Sequence, residues 1–202
     1  MKYLLICLGL FMSLGAEEIE FKSKLFTQGT LRFSDDFDQP KYKGRYGPKK
    51  NNNIKQVGDG ILEVLPLSGK PKDMTVCHIY NIPKKFVCHL RFKVMKSDPN
   101  AGAAMQIGNH KMHLSGSEEA FSIFLRKTGK RLTNSEVKSF IANQWIDMII
   151  EYQQGKMLLN INGKEIVFEG EGINMDGAQS ILFKYRGADK TLFDYVRIWE
   201  AK

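Results

Sequence analysis

The chain has 202 residues, with 30 Lys and Arg against 22 Asp and Glu and a formal charge of +8. That size suits one ordinary domain once a leader is removed. The positive balance favours an acidic partner or surface. It is spread along the chain with no long basic run, so nucleic acid is not expected as a partner.

Met1-Lys2, an apolar run from Tyr3 to Met12 and the small residues Ser13-Leu-Gly-Ala16 precede Glu17-Glu18. This order is that of a secretory signal peptide over residues 1–16, and it places the protein in the periplasm or outside the cell. The apolar run is too short for a transmembrane helix. Cleavage leaves 17–202 as a single domain, with Cys77 and Cys88 its only cysteines. In an oxidising compartment such a pair is a disulfide candidate.

From Phe21 onward, short alternating runs are broken by Gly, Asn, Asp or Pro, and helical periodicity is almost absent. Leu31 to Phe37 reads as a first strand, followed by a polar loop from Asp38 to Asn53. Ile54 to Val57 and Ile61 to Leu67 flank Gly58-Asp-Gly60, a tight antiparallel connection. Met74 to Ile82 and Lys85 to Met95 read as the next hairpin, turning at Asn81-Ile-Pro-Lys84. Ala101 to Ile107, Phe121 to Arg126, Val137 to Ile141, Trp145 to Tyr152 and Ser180 to Tyr185 continue the series.

Lys156 to Phe168 is a hairpin about Asn162-Gly163, a pair suited to a type I′ turn because both central residues need positive φ. That turn sets Ile161 opposite Lys164, Leu159 opposite Ile166 and Met157 opposite Phe168. The last strand, Phe193 to Glu200, alternates. Val196 and Ile198 fall on one side, with Phe193, Tyr195, Arg197 and Trp199 on the other. The expected fold is an all-β jelly-roll sandwich of two antiparallel sheets.

Several stretches carry a family resemblance: Phe33-Ser-Asp-Asp-Phe37, Val57-Gly-Asp-Gly-Ile-Leu62, Phe86 to Val94, Gln144-Trp145 with Ile149-Ile-Glu151, Ile161-Asn-Gly163 and Phe193 to Glu200. Together they resemble the secreted concanavalin A-like jelly-roll domains of the 3-keto-disaccharide hydrolase-like family, of planctomycete type. The resemblance implies a glycan- or glycoside-recognising domain with hydrolase activity on 3-keto-glycosides. The family's "N-S-G" and acidic "E-V-Q-I" strand correspond here to Asn100-Ala-Gly-Ala-Ala-Met-Gln-Ile107, without the serine or the glutamate. A non-catalytic structural or cell-surface interaction module of the same fold is therefore the alternative.

Four candidate sites follow from residue types. Cys77-His78 and Cys88-His89 suggest a zinc site. If the two strands pair across the 81–84 turn, however, Cys77 faces Cys88 and both histidines point the other way. A disulfide or two adjacent buried thiols is then favoured over a metal. His110, at a loop-like position after Gly108-Asn109, is a ligand-contact candidate, and His113 falls on the opposite strand face. Asp35, Asp36 and Asp38, joined by Asp194 if the first and last strands are neighbours, offer oxygen ligands for a structural Ca²⁺, with a solvated acidic turn as the plainer reading. Tyr42, Arg45, Tyr46 and Arg126 combine aromatic faces with cationic donors, a combination that suits a carbohydrate, including an anionic one.

Retaining glycosidases need two carboxyls about 5–5.5 Å apart, and jelly-roll members place them on one strand as Glu-x-Asp-x-x-Glu. No such string occurs. A Gly-x-Ser-x-Gly elbow, a phosphate-cradling glycine loop and His-Glu-x-x-His are also missing from the sequence, so no catalytic residue is assigned.

Overall fold

The computed structural model describes residues 20–38, 54–57, 60–66, 74–95, 102–108, 111–116, 120–137, 142–175, 180–186 and 189–202. Among them are fourteen strands and no helix, arranged as two antiparallel sheets. The chain-order strands are β1 (Thr30–Asp35), β2 (Ile54–Val57), β3 (Ile61–Val64), β4 (Met74–Tyr80), β5 (Phe86–Met95), β6 (Gly102–Ile107) and β7 (Met112–Gly116). They continue as β8 (Phe121–Leu125), β9 (Lys130–Asn134), β10 (Trp145–Gln153), β11 (Lys156–Ile161), β12 (Lys164–Glu169), β13 (Ser180–Arg186) and β14 (Lys190–Glu200). The eight-stranded sheet runs β12-β11-β10-β5-β14-β3-β2, with β1 also on β14, and the six-stranded sheet runs β4-β13-β6-β7-β8-β9. This is the jelly-roll sandwich that the alternation of the sequence requires.

The core lies between the sheets, because each strand turns every second side chain inward. Phe92 and Phe193 from the larger sheet meet Phe183 of the smaller one at ring-centroid distances of 6.4 and 5.1 Å. Each such buried ring contributes about 1.5–3 kcal/mol over its exposed state. The β11–β12 hairpin has the expected register, Met157↔Phe168, Leu159↔Ile166 and Ile161↔Lys164. Asn162 and Gly163 adopt φ of 50° and 84°, as a type I′ turn demands.

Three expectations need correction. First, β4 and β5 do not form a hairpin: β4 pairs with β13 in the smaller sheet, whereas β5 is flanked by β10 and β14 in the larger one. Both edges of β5 are saturated, and the connection through buried Ile82 carries the chain from one sheet to the other. Cys88 therefore has Ile150 and Ile198 as its lateral neighbours, and it is a buried free thiol. Cys77 lies opposite Phe183, in the other sheet. The cross-strand Cys77–Cys88 register is not formed, and the side chains of Cys77 and His78 lie outside the described residues.

Second, Phe193 does not share a face with Tyr195, Arg197 and Trp199. The register of β14 shifts between Phe193 and Tyr195, so Asp194 is the extra residue of a bulge. The shift returns Phe193 to the core beside Val196 and Ile198, all three 1% exposed. It also divides one edge of β14 between β3, at Thr191–Phe193, and β1, at Val196–Glu200.

Third, Val137 is buried but outside any strand, with 138–141 beyond the described residues. Meanwhile β7 and β9 are strands that the sequence reading passed over.

Residues 20–26 cross the outer face of the larger sheet as a strap. Glu151, 2% exposed, accepts from Ser23 Oγ at 2.6 Å and from the N–H groups of Lys24 and Leu25 at 2.9 and 2.7 Å. Phe21 lies edge-on to Trp199 at 5.4 Å. Trp199 is thus 1% exposed on the side away from the core, buried by the strap instead of by the second sheet.

Candidate functional site

The smaller sheet turns one face outward. Its inward residues Met105, Ile107, Met112, Leu114, Phe121, Ile123 and Leu125 are all buried in the core. Their neighbours along each strand must project outward. Register then lines these up: Gln106 lies opposite His113, His113 opposite Phe124, and Phe124 opposite Arg131. With strands about 4.8 Å apart, the row spans roughly 14 Å across four strands. A second row beside it sets Ser115 opposite Ser122 and Ser122 opposite Thr133.

The side chains of the two rows are coupled. Phe124 meets the His113 ring edge-on at 6.1 Å and receives the Arg131 guanidinium 6.0 Å from its centroid. Arg131 Nη1 donates to Ser122 Oγ at 3.1 Å, and Ser122 Oγ is 2.9 Å from Ser115 Oγ. The Gln106 amide nitrogen lies 3.4 Å from His113 Nδ1. This contact joins the Gln106 amide to the His113 ring. Gln106 is 5% exposed, and its Oε1 is buried without a partner among the described residues. An orphaned buried carbonyl oxygen costs about 1–3 kcal/mol until a donor reaches it. The array offers an aromatic platform, a fixed cation and hydroxyls, with Gln106 buried at its inner end. Neither described row contains a carboxylate, so this part of the face supplies no acid–base pair.

The positions singled out in the sequence are dispersed. Tyr42, Arg45, Tyr46 and His110 lie outside the described residues. Arg126 follows β8 as an exposed turn residue whose N–H donates to the Lys111 carbonyl at 3.0 Å. The first and last strands are indeed neighbours, with Asp35 opposite Val196. The carboxylates nonetheless turn to different partners. Asp36 accepts from Arg197 at 2.6 Å, Asp194 from Arg91 at 2.8 Å, and Asp35 from the N–H of Phe37 at 2.9 Å. A cation joining them would compete with two arginines, and no group of three or more metal-ligating side chains converges among the described residues. His89 is packed, its Nε2 2.6 Å from the Lys22 carbonyl oxygen and its ring beside Trp199.

The row Gln106–His113–Phe124–Arg131 was missed because it exists only once β7 and β9 are paired. The available signal was the alternation Met112-His-Leu-Ser115 next to Phe121-Ser-Ile-Phe-Leu125, two adjacent strands with matching polar positions.

No known family pattern matches the sequence, and no curated protein does either. Solved structures match the fold. A non-specific endo-β-1,3(4)-glucanase of family GH16 superposes with a TM-score of 0.63 at 11% identity, over 90% of this chain and 95% of that one. A Bacillus subtilis protein of unknown function with a galectin-like fold gives 0.68 at 10% identity, over 88% and 99%. The Bacillus licheniformis β-glucanase gives 0.59 at 10% identity, over 86% and 99%. The chain thus has the jelly-roll sandwich of glycoside hydrolase-like and galectin-like proteins.

Proposed function

We propose that the protein is a secreted carbohydrate-recognising jelly roll that binds glycan across the outer face of the six-stranded sheet. The observation that carries this reading is the row Gln106–His113–Phe124–Arg131, coupled through Arg131 to the Ser115–Ser122 pair beside it. A sugar ring stacks its C–H face on an aromatic ring while its hydroxyls donate to and accept from fixed polar groups. Phe124 supplies the first, and His113 and the Ser115–Ser122–Arg131 chain supply the second. The fold likeness to glucanases supports a glycan as the ligand class.

The absence of a carboxylate in the described rows favours recognition over hydrolysis. A glycan array and affinity gels over neutral and sulfated polysaccharides test the reading. Binding by the wild type that weakens about 5–10-fold in Phe124→Ala, a loss near 1 kcal/mol, is the expected result. No retention on any glycan overturns it. Turnover of a 3-keto-glycoside, the finer activity that the sequence resemblance implies, is the second reading. It is decided by incubating the same protein with that substrate.

A further inference from the structure

The outer face of the eight-stranded sheet carries a second, separate arrangement. Register sets three rows across it. In the first, Glu151 and Val87 are opposite one another and Val87 faces Trp199, and the strap covers this row. In the next, Asn160, Ile149, His89 and Arg197 follow one another across β11, β10, β5 and β14. In the third, Asp147 faces Arg91, and Arg91 faces Tyr195. From Glu20, the first described residue of the strap, the chain borders the second row, and among the described residues a cavity of about 230 Å³ is lined there by Glu20, Lys22, His89, Asp147, Ile149, Asn160, Tyr195 and Arg197.

We propose that this cavity is a second ligand site, which takes one small, neutral, hydroxyl-rich molecule the size of a single sugar ring. Size comes first. Pockets for drug-sized ligands run about 300–1,000 Å³, and 230 Å³ is smaller than that. Charge comes second. Lys22 is paired with Glu20 at 2.8 Å, and Arg197 is paired with Asp36 at 2.6 Å. Asp147 accepts from the Tyr195 hydroxyl at 3.2 Å. Asp147 also has Arg91 Nε 3.8 Å away, so each charged group lining the cavity has an opposite charge beside it, and a charged ligand would meet its own sign on one wall.

Hydrogen-bonding capacity comes third. Arg197 Nε is buried without a partner among the described residues, and its guanidinium lies over the Tyr195 ring, 4.5 Å from the centroid, at the cavity wall. Asp147 Oδ1 and Asn160 Oδ1 border the cavity and already accept from the Tyr195 hydroxyl and the Gly163 N–H, and a carboxylate or amide oxygen accepts a second hydrogen bond. Ile149, half-buried in the floor, offers an apolar patch for C–H groups. Burial lowers the pKa of His89 and, with Asp147 beside it, pushes that of Tyr195 up to about 12, so both side chains are uncharged at neutral pH. Fixed planar polar groups around one apolar patch recognise a polyol ring.

The site is independent of the glycan-binding face, since the two lie on opposite outer surfaces of the sandwich. The test is an NMR titration of ¹⁵N-labelled protein with D-glucose and D-galactose, and with D-glucuronate and D-glucosamine as charged counterparts. Shifts of the His89, Ile149 and Arg197 amides with a dissociation constant of roughly 1–10 mM for a neutral sugar are expected, the range ordinary for a ligand of so few atoms. The charged sugars should bind at least threefold more weakly. Ile149→Phe, which fills the floor without touching the ion pairs, should abolish these shifts, and Arg131→Ala on the other sheet should leave them unchanged. No shift at these three amides, shifts only on β6–β9, or equal binding of glucuronate overturns the assignment.

Discussion

Replacing Glu151 with Ala tests how the outer face of the larger sheet is closed. The carboxylate is 2% exposed and gathers Ser23 Oγ and the N–H groups of Lys24 and Leu25 at 2.6, 2.9 and 2.7 Å. A hydrogen bond to a charged group contributes about 1.5–3 kcal/mol, so three set a ceiling of roughly 5–9 kcal/mol. The ceiling is not reached, because a released strap gives its donors to water. It also recovers about 1–2 kcal/mol of backbone entropy per freed residue. The expected destabilisation is about 3 kcal/mol, equivalent to a fall in Tm of roughly 6–12 °C for a domain of this size.

Urea denaturation supplies the free energy, and hydrogen exchange at the Lys24 and Leu25 amides reports the strap itself. The same substitution in a chain lacking residues 17–26 should cost almost nothing, because the donors are already gone and the carboxylate faces water. A cost under about 1 kcal/mol in the intact chain, or an equal cost in both backgrounds, would refute the reasoning.

The remaining predictions concern backbone geometry and titration. A Cβ at Gly29 would fall 1.7 Å from the Glu200 carbonyl oxygen, which cannot move aside. Gly29→Ala should therefore part β1 from β14 and cost about 3 kcal/mol in a denaturant melt. Gly163→Ala meets nothing within 4 Å but keeps a φ of +84°, so strain alone should lower stability by roughly 1–2 kcal/mol.

His89 is held below its ordinary pKa of 6.5, chiefly by burial, so below that pH the unfolded chain binds a proton that the folded one refuses. Stability should fall as pH drops from 7.5 towards 5.5, and the fall should be smaller in His89→Gln. Burial holds the Cys88 thiol far above its usual range. Iodoacetamide should leave it unmodified in the native protein and label it on unfolding, with mass spectrometry of the Cys88 peptide as the readout.

Local features were legible in the sequence because they depend on neighbours in the chain. Asn162-Gly163 specifies its own turn, and the period-2 alternation of Trp145 to Tyr152 specifies a strand whatever lies beside it. The same reading failed at Phe193. One extra residue at Asp194 flips every side chain before it, and no pattern within the strand announces a bulge. It failed again at Cys77 and Cys88, where a short connection looks alike whether it returns the chain to its own sheet or carries it over to the other.

By itself, then, the amino-acid order determined an all-β sandwich, its Asn-Gly hairpin and its closing strand, since turn conformation and side-chain alternation are properties of a few consecutive residues. Only the tertiary structure decided which strands became neighbours. Alternation within β7 and β8 marks which side chains face outward, but Gln106, His113, Phe124 and Arg131 form a row only because three ladders of hydrogen bonds set them level. The same holds for Asp36 and Asp194, which the sequence placed together as oxygen ligands and which the strand register gave to Arg197 and Arg91.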